Sequence, residues 1–541
     1  MLALVSLGLF GGALTANSQA RPVARPANSG APAILKRLDS LSRSAVSDGP
    51  LASVAVAVLR GSDTLLLRAY GMADLERRVP AVVTSQYRLG SVTKSFTAAA
   101  ILQQVERGKL SLDDTLGKFF PEYAEWKAIR VRQLLNHTSG IPDYTSVGDA
   151  FSGTAAEDIP IDSIVGFVRG RPPQFDPGTK WSYSNTNYVL LGMILERVSN
   201  TPYADYLASE VYPRAGLTLT QYCDDATLVP HRALGYGRSH GKFVNSSSIA
   251  MTVPFAAGAL CSTAGDLARW PRALRSGHVI TPASYRAMTT GESAGRHPNP
   301  SDSTQQYGFG VGMGLLGAHR MVEHGGNING FNASFIDVPD VDLTIAVLTN
   351  TEGIGADALA RRLAEAALSL PVDTARHTPP EPTFAGKTSL TASERSKYIG
   401  RYRLHVMNAP SRAALLSVTE RVYEEGGRLL VWSPGSAPHE LVSLGNGRFA
   451  TREDPGTTFD FGSDSAASLA QGASNTKDRD ASDSARAQAS ESHDANEEIG
   501  WLTLRVWNQP GFVLTGGRLS KPLGLWPRSG TTSAETSIKG W

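Results

Sequence analysis

The sequence predicts an α/β protein of the α+β kind: an antiparallel sheet flanked by helices plus a helical subdomain, followed by a small all-β barrel domain. Three observations lead there. Strand-like runs at 53–59 and 65–70 flank Arg60-Gly61-Ser62-Asp63-Thr64, a hairpin signal near one end of a compositionally even region. A second hairpin closes the other end, with strands at 332–338 and 343–349 turned by Pro339-Asp340-Val341-Asp342. Past the Pro-rich stretch 377–382 the pattern changes to short strands separated by turns.

Taken in order, 1–20 reads as an export signal. Leu2 to Leu14 is apolar but short for a bilayer span, and Ser18-Gln19-Ala20 offers small residues for cleavage after Ala20. Residues 21–33 form a Pro/Ala/Arg linker. The main domain is expected over 34–375. Its sheet draws strands from both ends, and the mostly helical segments between them make the subdomain. Phe96 to Val105 reads as a buried helix stopped at Gly108, Tyr188 to Val198 as another, and Gly355 to Leu370 as an Ala-rich helix. A linker at 376–390 leads to the all-β domain, 391–541, with strands near 398–406, 428–432, 440–444, 457–461, 501–507 and 512–515. Residues 463–498 contain no aromatic, valine or isoleucine, so they cannot bury enough apolar surface to offset ordering. They are expected to be a disordered insert.

Bulk properties exclude several function classes. Net charge is only +2 over 541 residues, which gives no attraction to nucleic acid or an anionic surface. No segment of the mature chain is apolar enough to span a membrane. The two cysteines, Cys223 and Cys261, are too few for a disulfide framework or a zinc cluster. They either pair with each other or stay as small buried side chains. No clustered His/Cys spacing, Walker motif or dinucleotide glycine pattern occurs. No metal or cofactor is therefore expected.

The chemistry is carried by three separated segments. Ser91 lies three residues before Lys94 in Leu89-Gly90-Ser91-Val92-Thr93-Lys94. On a helix that spacing puts both side chains on one face, so the amine reaches the hydroxyl. A serine hydroxyl is a poor nucleophile at neutral pH and needs such a base. Gly90 frees the backbone just before the serine, and the following helix N-terminus offers N–H groups to an oxyanion. Tyr183-Ser184-Asn185 is expected on a loop before the helix 188–198. A tyrosine whose pKa is lowered by a nearby ammonium takes a proton from serine. Asn185 can donate to a substrate carbonyl and accept from Lys94. In His324-Gly325-Gly326-Asn327 the paired glycines let a substrate backbone approach, and the Asn327 N–H is a second oxyanion donor. His324 either pairs with a substrate carboxylate or tunes the tyrosine. His137, in Asn136-His137-Thr138-Ser139-Gly140, reads as a structural loop histidine.

In that order, Ser-x-x-Lys, Tyr-x-Asn and a third triplet ending in glycine resemble the serine β-lactamase and penicillin-binding superfamily, in the branch of class C β-lactamases, D-Ala-D-Ala carboxypeptidases and related esterases. Leu134 to Gly140, Pro254 to Ala268 and His324 to Phe331 strengthen the likeness, which spans roughly Leu35 to Leu370. The resemblance implies that Ser91 is acylated, that Lys94 and Tyr183 handle its proton and the leaving group's, that Asn185 orients the substrate, and that the Ser91 and Asn327 N–H groups form the oxyanion hole. His324 stands where many relatives carry lysine, which weighs against β-lactam hydrolysis. The segment from Tyr398-Ile399-Gly400-Arg401-Tyr402 is similar to a lipocalin-like domain appended to some members. The expected protein is an exported serine hydrolase, periplasmic or extracellular, acting on D-amino-acid peptides or related amides. Ester and β-lactam hydrolysis rank next. A non-catalytic peptidoglycan- or partner-binding protein is the alternative of another class. Oligomeric state is open.

Overall fold

The computed structural model describes residues 31–47, 51–146, 155–239, 242–290, 306–353, 355–371, 390–406, 417–432, 438–445, 447–451, 458–463, 499–505 and 513–517. The expected export signal, and the expected insert beyond Ser463, lie outside these residues.

An eight-stranded sheet organises the main domain. Its strand order is Val79–Pro80, Asp63–Asp74, Ser53–Arg60, Leu343–Thr349, Phe331–Val338, His319–Ile328, Gly312–Leu316 and Gln306–Tyr307. Strands from the two chain ends meet at its centre, where Val56 pairs with Val347 antiparallel. The sequence of the first strand explains the two covered faces. Val54, Val56 and Val58 alternate with Ala55 and Ala57, and all five are buried. The valines join Leu38, Leu359 and Leu363 from helices Ala31–Ser47 and Ala356–Ala367 in one apolar layer. The alanines face the larger core shared with Leu267, Ala268 and Trp270 of helix Ala264–Arg275. Helix Ala31–Ser47 begins within the stretch read as linker, because burial of Leu38 rewards an amphipathic helix there.

Helix Thr93–Glu106 runs through the larger core with every residue from Thr93 to Gln104 buried. Phe96 stacks on Trp270 at 3.8 Å between ring centroids, and Trp270 Nε1 donates to Ser95 Oγ at 2.8 Å. Such a ring pair adds about 0.5–1.5 kcal/mol beyond area burial. Here it also fixes the rotation of the helix that carries Lys94. A small sheet, Tyr87–Arg88, Leu260–Ser262 and Gln221–Tyr222, delivers the chain to Leu89. Beside it, Cys223 and Cys261 remain buried thiols in hydrogen-bond contact with each other.

The C-terminal strands close into an eight-stranded barrel: Gly400–Val406, Ser417–Glu425, Arg428–Trp432, His439–Gly445, Arg448–Thr451, Thr458–Ser463, Ile499–Arg505 and Val513–Gly517. The last strand pairs with the first, His405 opposite Thr515. Tyr402, Val422, Phe449, Phe459 and Phe461 fill it. Two of its strands, 417–425 and 448–451, are absent from the sequence reading. Glutamates punctuate the first and the second is only four residues long, so neither shows a clear period.

Candidate active site

Ser91 sits on a 3-10 turn, Gly90–Val92, that opens directly into helix Thr93–Glu106. The turn is held by Leu89 N donating to Leu260 O at 2.8 Å, and Gly90 adopts φ +52°, which a side chain would strain. Lys94, one helical turn on, is fully buried. Its Nζ stands 3.0 Å from Ser91 Oγ, 2.8 Å from Asn185 Oδ1 and 2.8 Å from Ala257 O. The Tyr183 and Tyr188 rings lie 4.8 and 5.6 Å from the same nitrogen. Burial disfavours the ammonium and pulls the Lys94 pKa down to about 7, against the upward pull of the Asp143 carboxylate. Near neutral pH the amine is therefore available as a base.

Tyr183 shares a hydrogen bond with Ser91, so the serine hydroxyl touches both expected proton carriers. Its charge state differs from the expectation of a lowered pKa. Its hydroxyl lies in packed surroundings, and burial pushes the pKa well up, more than the Ser91 hydrogen bond offsets. Tyr183 is thus a neutral phenol, able to donate a proton, and of the two groups beside Ser91 the Lys94 amine is the one able to accept one near neutral pH. Asn185 also differs slightly: it is the first residue of helix Asn185–Ser199, capped by extended Ser184, rather than part of the loop before it.

His324, Gly325, Gly326 and Asn327 lie on the strand His319–Ile328, which packs against the serine turn. The reason for each glycine is steric. A Cβ at Gly326 would sit 1.9 Å from Leu89 O and 3.0 Å from Ser91 N, and one at Gly325 would sit 2.6 Å from Asp357 Oδ1. A Cβ at Gly90 would in turn lie 3.0 Å from Asn327 N. The strand backbone therefore abuts the turn at the seam where the Ser91 and Asn327 amides lie. Gly326→Ala forces that seam apart against backbone. Because a misplacement of about 1 Å can cost about a hundredfold in rate, ester hydrolysis by this variant is expected to fall at least about a hundredfold, with circular dichroism unchanged. Stopped-flow assay of both proteins checks it.

His324 is 7% exposed. Its Nδ1 donates to Gly325 O at 2.6 Å, and its Nε2 lies 2.8 Å from the Tyr307 hydroxyl. The carbonyl can only accept, so Nδ1 carries a proton, and Nε2 and the Tyr307 hydroxyl share the second bond. The Tyr307 ring stands edge-on to Tyr183 at 6.3 Å. His137 has the structural place expected of it. Its Nδ1 accepts from Ser184 N at 3.2 Å, and its ring packs 4.3 Å from Tyr183.

Two residues of the cluster are missing from the sequence reading. Tyr307, on a two-residue strand, links His324 to the Tyr183 wall. Asp143 accepts from Asn185 Nδ2 at 3.0 Å. Its only sequence signal is a Pro-Asp pair, which reads as an ordinary turn. Among the described residues, no group of His, Cys, Asp and Glu could hold a metal ion, and no helix is long and apolar enough to cross a membrane.

A Beta-lactamase family model matches residues 38–369. Penicillin-binding protein 4* of Bacillus subtilis (strain 168) is 28% identical over 389 residues, covering 68% of this chain and 83% of that protein. Among solved structures, a D-stereospecific amidohydrolase from Streptomyces sp. is 27% identical with a TM-score of 0.54, covering 61% of this chain and 98% of its own. An octameric penicillin-binding protein homologue from Pyrococcus abyssi is 20% identical with a TM-score of 0.58, covering 89% and 99%. At that identity the likeness is one of fold, and it extends well beyond the sheet domain.

Proposed function

Because the chain belongs to the beta-lactamase family and is a serine hydrolase, we propose that it cleaves peptides or amides of D-amino acids through an acyl-enzyme on Ser91. The observation that carries this reading is the Lys94 amine 3.0 Å from Ser91 Oγ, with its pKa drawn down to about 7. Neutral Lys94 takes the hydroxyl proton as Oγ attacks the carbonyl. The Ser91 and Asn327 N–H groups take the oxyanion. Asn185 orients the substrate, and the Tyr183 hydroxyl gives its proton to the departing amine and regains one from the Lys94 ammonium, which returns Lys94 to the neutral amine. Water then repeats the sequence on the ester to free the acid and Ser91. The likeness to a D-stereospecific amidohydrolase supports the substrate class.

Ester hydrolysis by the same residues is the second reading, favoured by His324. Both of its ring nitrogens are engaged within the protein, by Gly325 O and the Tyr307 hydroxyl, so substrates without a carboxylate lose least. The apolar segment Leu2 to Leu14 and Ser18-Gln19-Ala20 support export. The change in strand pattern supports a hydrolase domain over 34–375 and a separate β domain over 391–541.

Purified full chain is to be assayed on D-Ala-D-Ala peptides, D- and L-amino-acid amides, p-nitrophenyl acetate and nitrocefin. The highest kcat/KM is expected on a D-configured amide or peptide, with slow turnover of nitrocefin. Equal rates on D and L amides would remove the stereochemical claim. Ester turnover without any amide turnover would establish the second reading. No covalent adduct with any serine acylator would favour a binding protein.

A further inference from the structure

Asp143 is a buried carboxylate to which the reaction scheme gives no task. It is 8% exposed, and its surroundings fix it firmly. Oδ1 accepts from Thr145 N at 3.0 Å, Oδ2 accepts from Asn185 Nδ2 at 3.0 Å, and its carbonyl accepts from Ser146 Oγ at 2.6 Å. The loop is bolted to the helix behind it. Thr186 Oγ1 donates to Pro142 O at 2.7 Å and accepts from Tyr144 N at 3.0 Å, while the Tyr144 hydroxyl donates to Val253 O at 2.9 Å.

A primary amide has a donor end and an acceptor end, whereas an ionised carboxylate only accepts. Asn185 must therefore turn Nδ2 to Asp143, which leaves Oδ1 for Lys94, 2.8 Å away. With Oδ1 and Ala257 O taking the two N–H bonds of a neutral amine, its lone pair is left for the Ser91 proton. Turned the other way, the amide would offer Lys94 an N–H and compete for that lone pair.

We infer that Asp143 is a positioning residue for acylation: it locks the Asn185 amide with its oxygen toward Lys94 and sets a carboxylate behind that amide. The inference rests on the acyl-enzyme reading above. The groups that face the pair are few in kind. Around Lys94 stand Ser91, Asn185, the Ala257 carbonyl, Tyr183, Tyr188 and Asp143. Burial raises the Asp143 pKa, while the hydrogen bonds from Thr145 and Asn185 and then the Lys94 charge pull it back down; Asp143 in turn acts on Tyr144 and Tyr183, both held neutral by burial. Burial depresses the Lys94 pKa and Asp143 opposes it, so removing the charge lowers that pKa further.

The test compares wild type with Asp143→Asn and Asp143→Ala on p-nitrophenyl acetate across pH 5 to 9, with thermal melts of all three. Asp143→Asn keeps the shape and loses the charge. Its ascending limb in kcat/KM is expected to move to lower pH by about half a unit or more, with a plateau about three- to tenfold lower, as a weaker base implies. Asp143→Ala, which also releases the amide, is expected to lose at least about tenfold in kcat with little change in KM. A purely structural Asp143 would lower the melting temperature and leave the limb in place. An unmoved limb in a folded, active Asp143→Asn enzyme overturns the inference alone. An inert wild type would instead bring down the acyl-enzyme reading, and this inference with it.

Discussion

Ser91→Ala is expected to abolish the covalent adduct with a fluorophosphonate and to lower kcat/KM on every substrate by on the order of 10⁴-fold or more. The argument is direct. Bond formation to the carbonyl needs an oxygen at this position, and no other group in the cluster is both nucleophilic and beside the Lys94 amine. What remains is oxyanion holding and substrate binding, which give only a small residue of the rate in serine enzymes. The side chain is small and sits on a turn fixed by backbone contacts, so the fold should survive. Intact-mass spectrometry reads the outcome. An adduct that persists in Ser91→Ala would move the nucleophile elsewhere.

Lys94→Met should slow acylation at least about a hundredfold, the usual worth of a positioned base. Methionine fills the buried tunnel of the side chain and removes only the proton chemistry. The pH profile adds a second readout. With a Lys94 pKa of about 7, the wild-type acylation rate rises with pH below that value, as the ammonium gives way to the free amine, and levels off above it. Lys94→Met should lose that limb. Tyr183→Phe should keep it, because the base is intact, yet lose about a hundredfold on amides and much less on p-nitrophenyl esters. An amine leaving group must be protonated as it departs, and nitrophenolate need not be. Equal losses on amide and ester would remove Tyr183 from the leaving-group step.

The parts of this site that the sequence exposed are those with short-range geometry. Ser91 and Lys94 are three apart, and a helix brings them together whatever the rest of the chain does. Strands Ser53–Arg60 and Leu343–Thr349 were legible because they are buried on both faces and read as apolar runs. What stayed hidden depends on tertiary burial. Asp143 looks like any turn aspartate until Pro142 and Tyr144 are pinned to Thr186. Tyr307 lies on a strand of two residues, too short for any period. The same holds for Tyr87–Arg88 and Gln221–Tyr222, which flank Leu260–Ser262 in the small sheet. The Tyr183 shift runs opposite to the sequence expectation for one reason. A cationic neighbour is visible in a motif, but the desolvation that outweighs it belongs to the packed whole.

The hydrogen-bond partners of Lys94 come from residues 3, 91 and 163 positions away in the chain. Until the ribosome has added Ala257, and the strand bearing Asn327 after it, Lys94 stays hydrated and charged and Ser91 is no more reactive than the free amino acid. A nascent or clipped polypeptide therefore carries a silent alcohol. Catalytic competence waits on these distant segments, which makes a simple ester assay a gauge of how much of a preparation has completed its sheet.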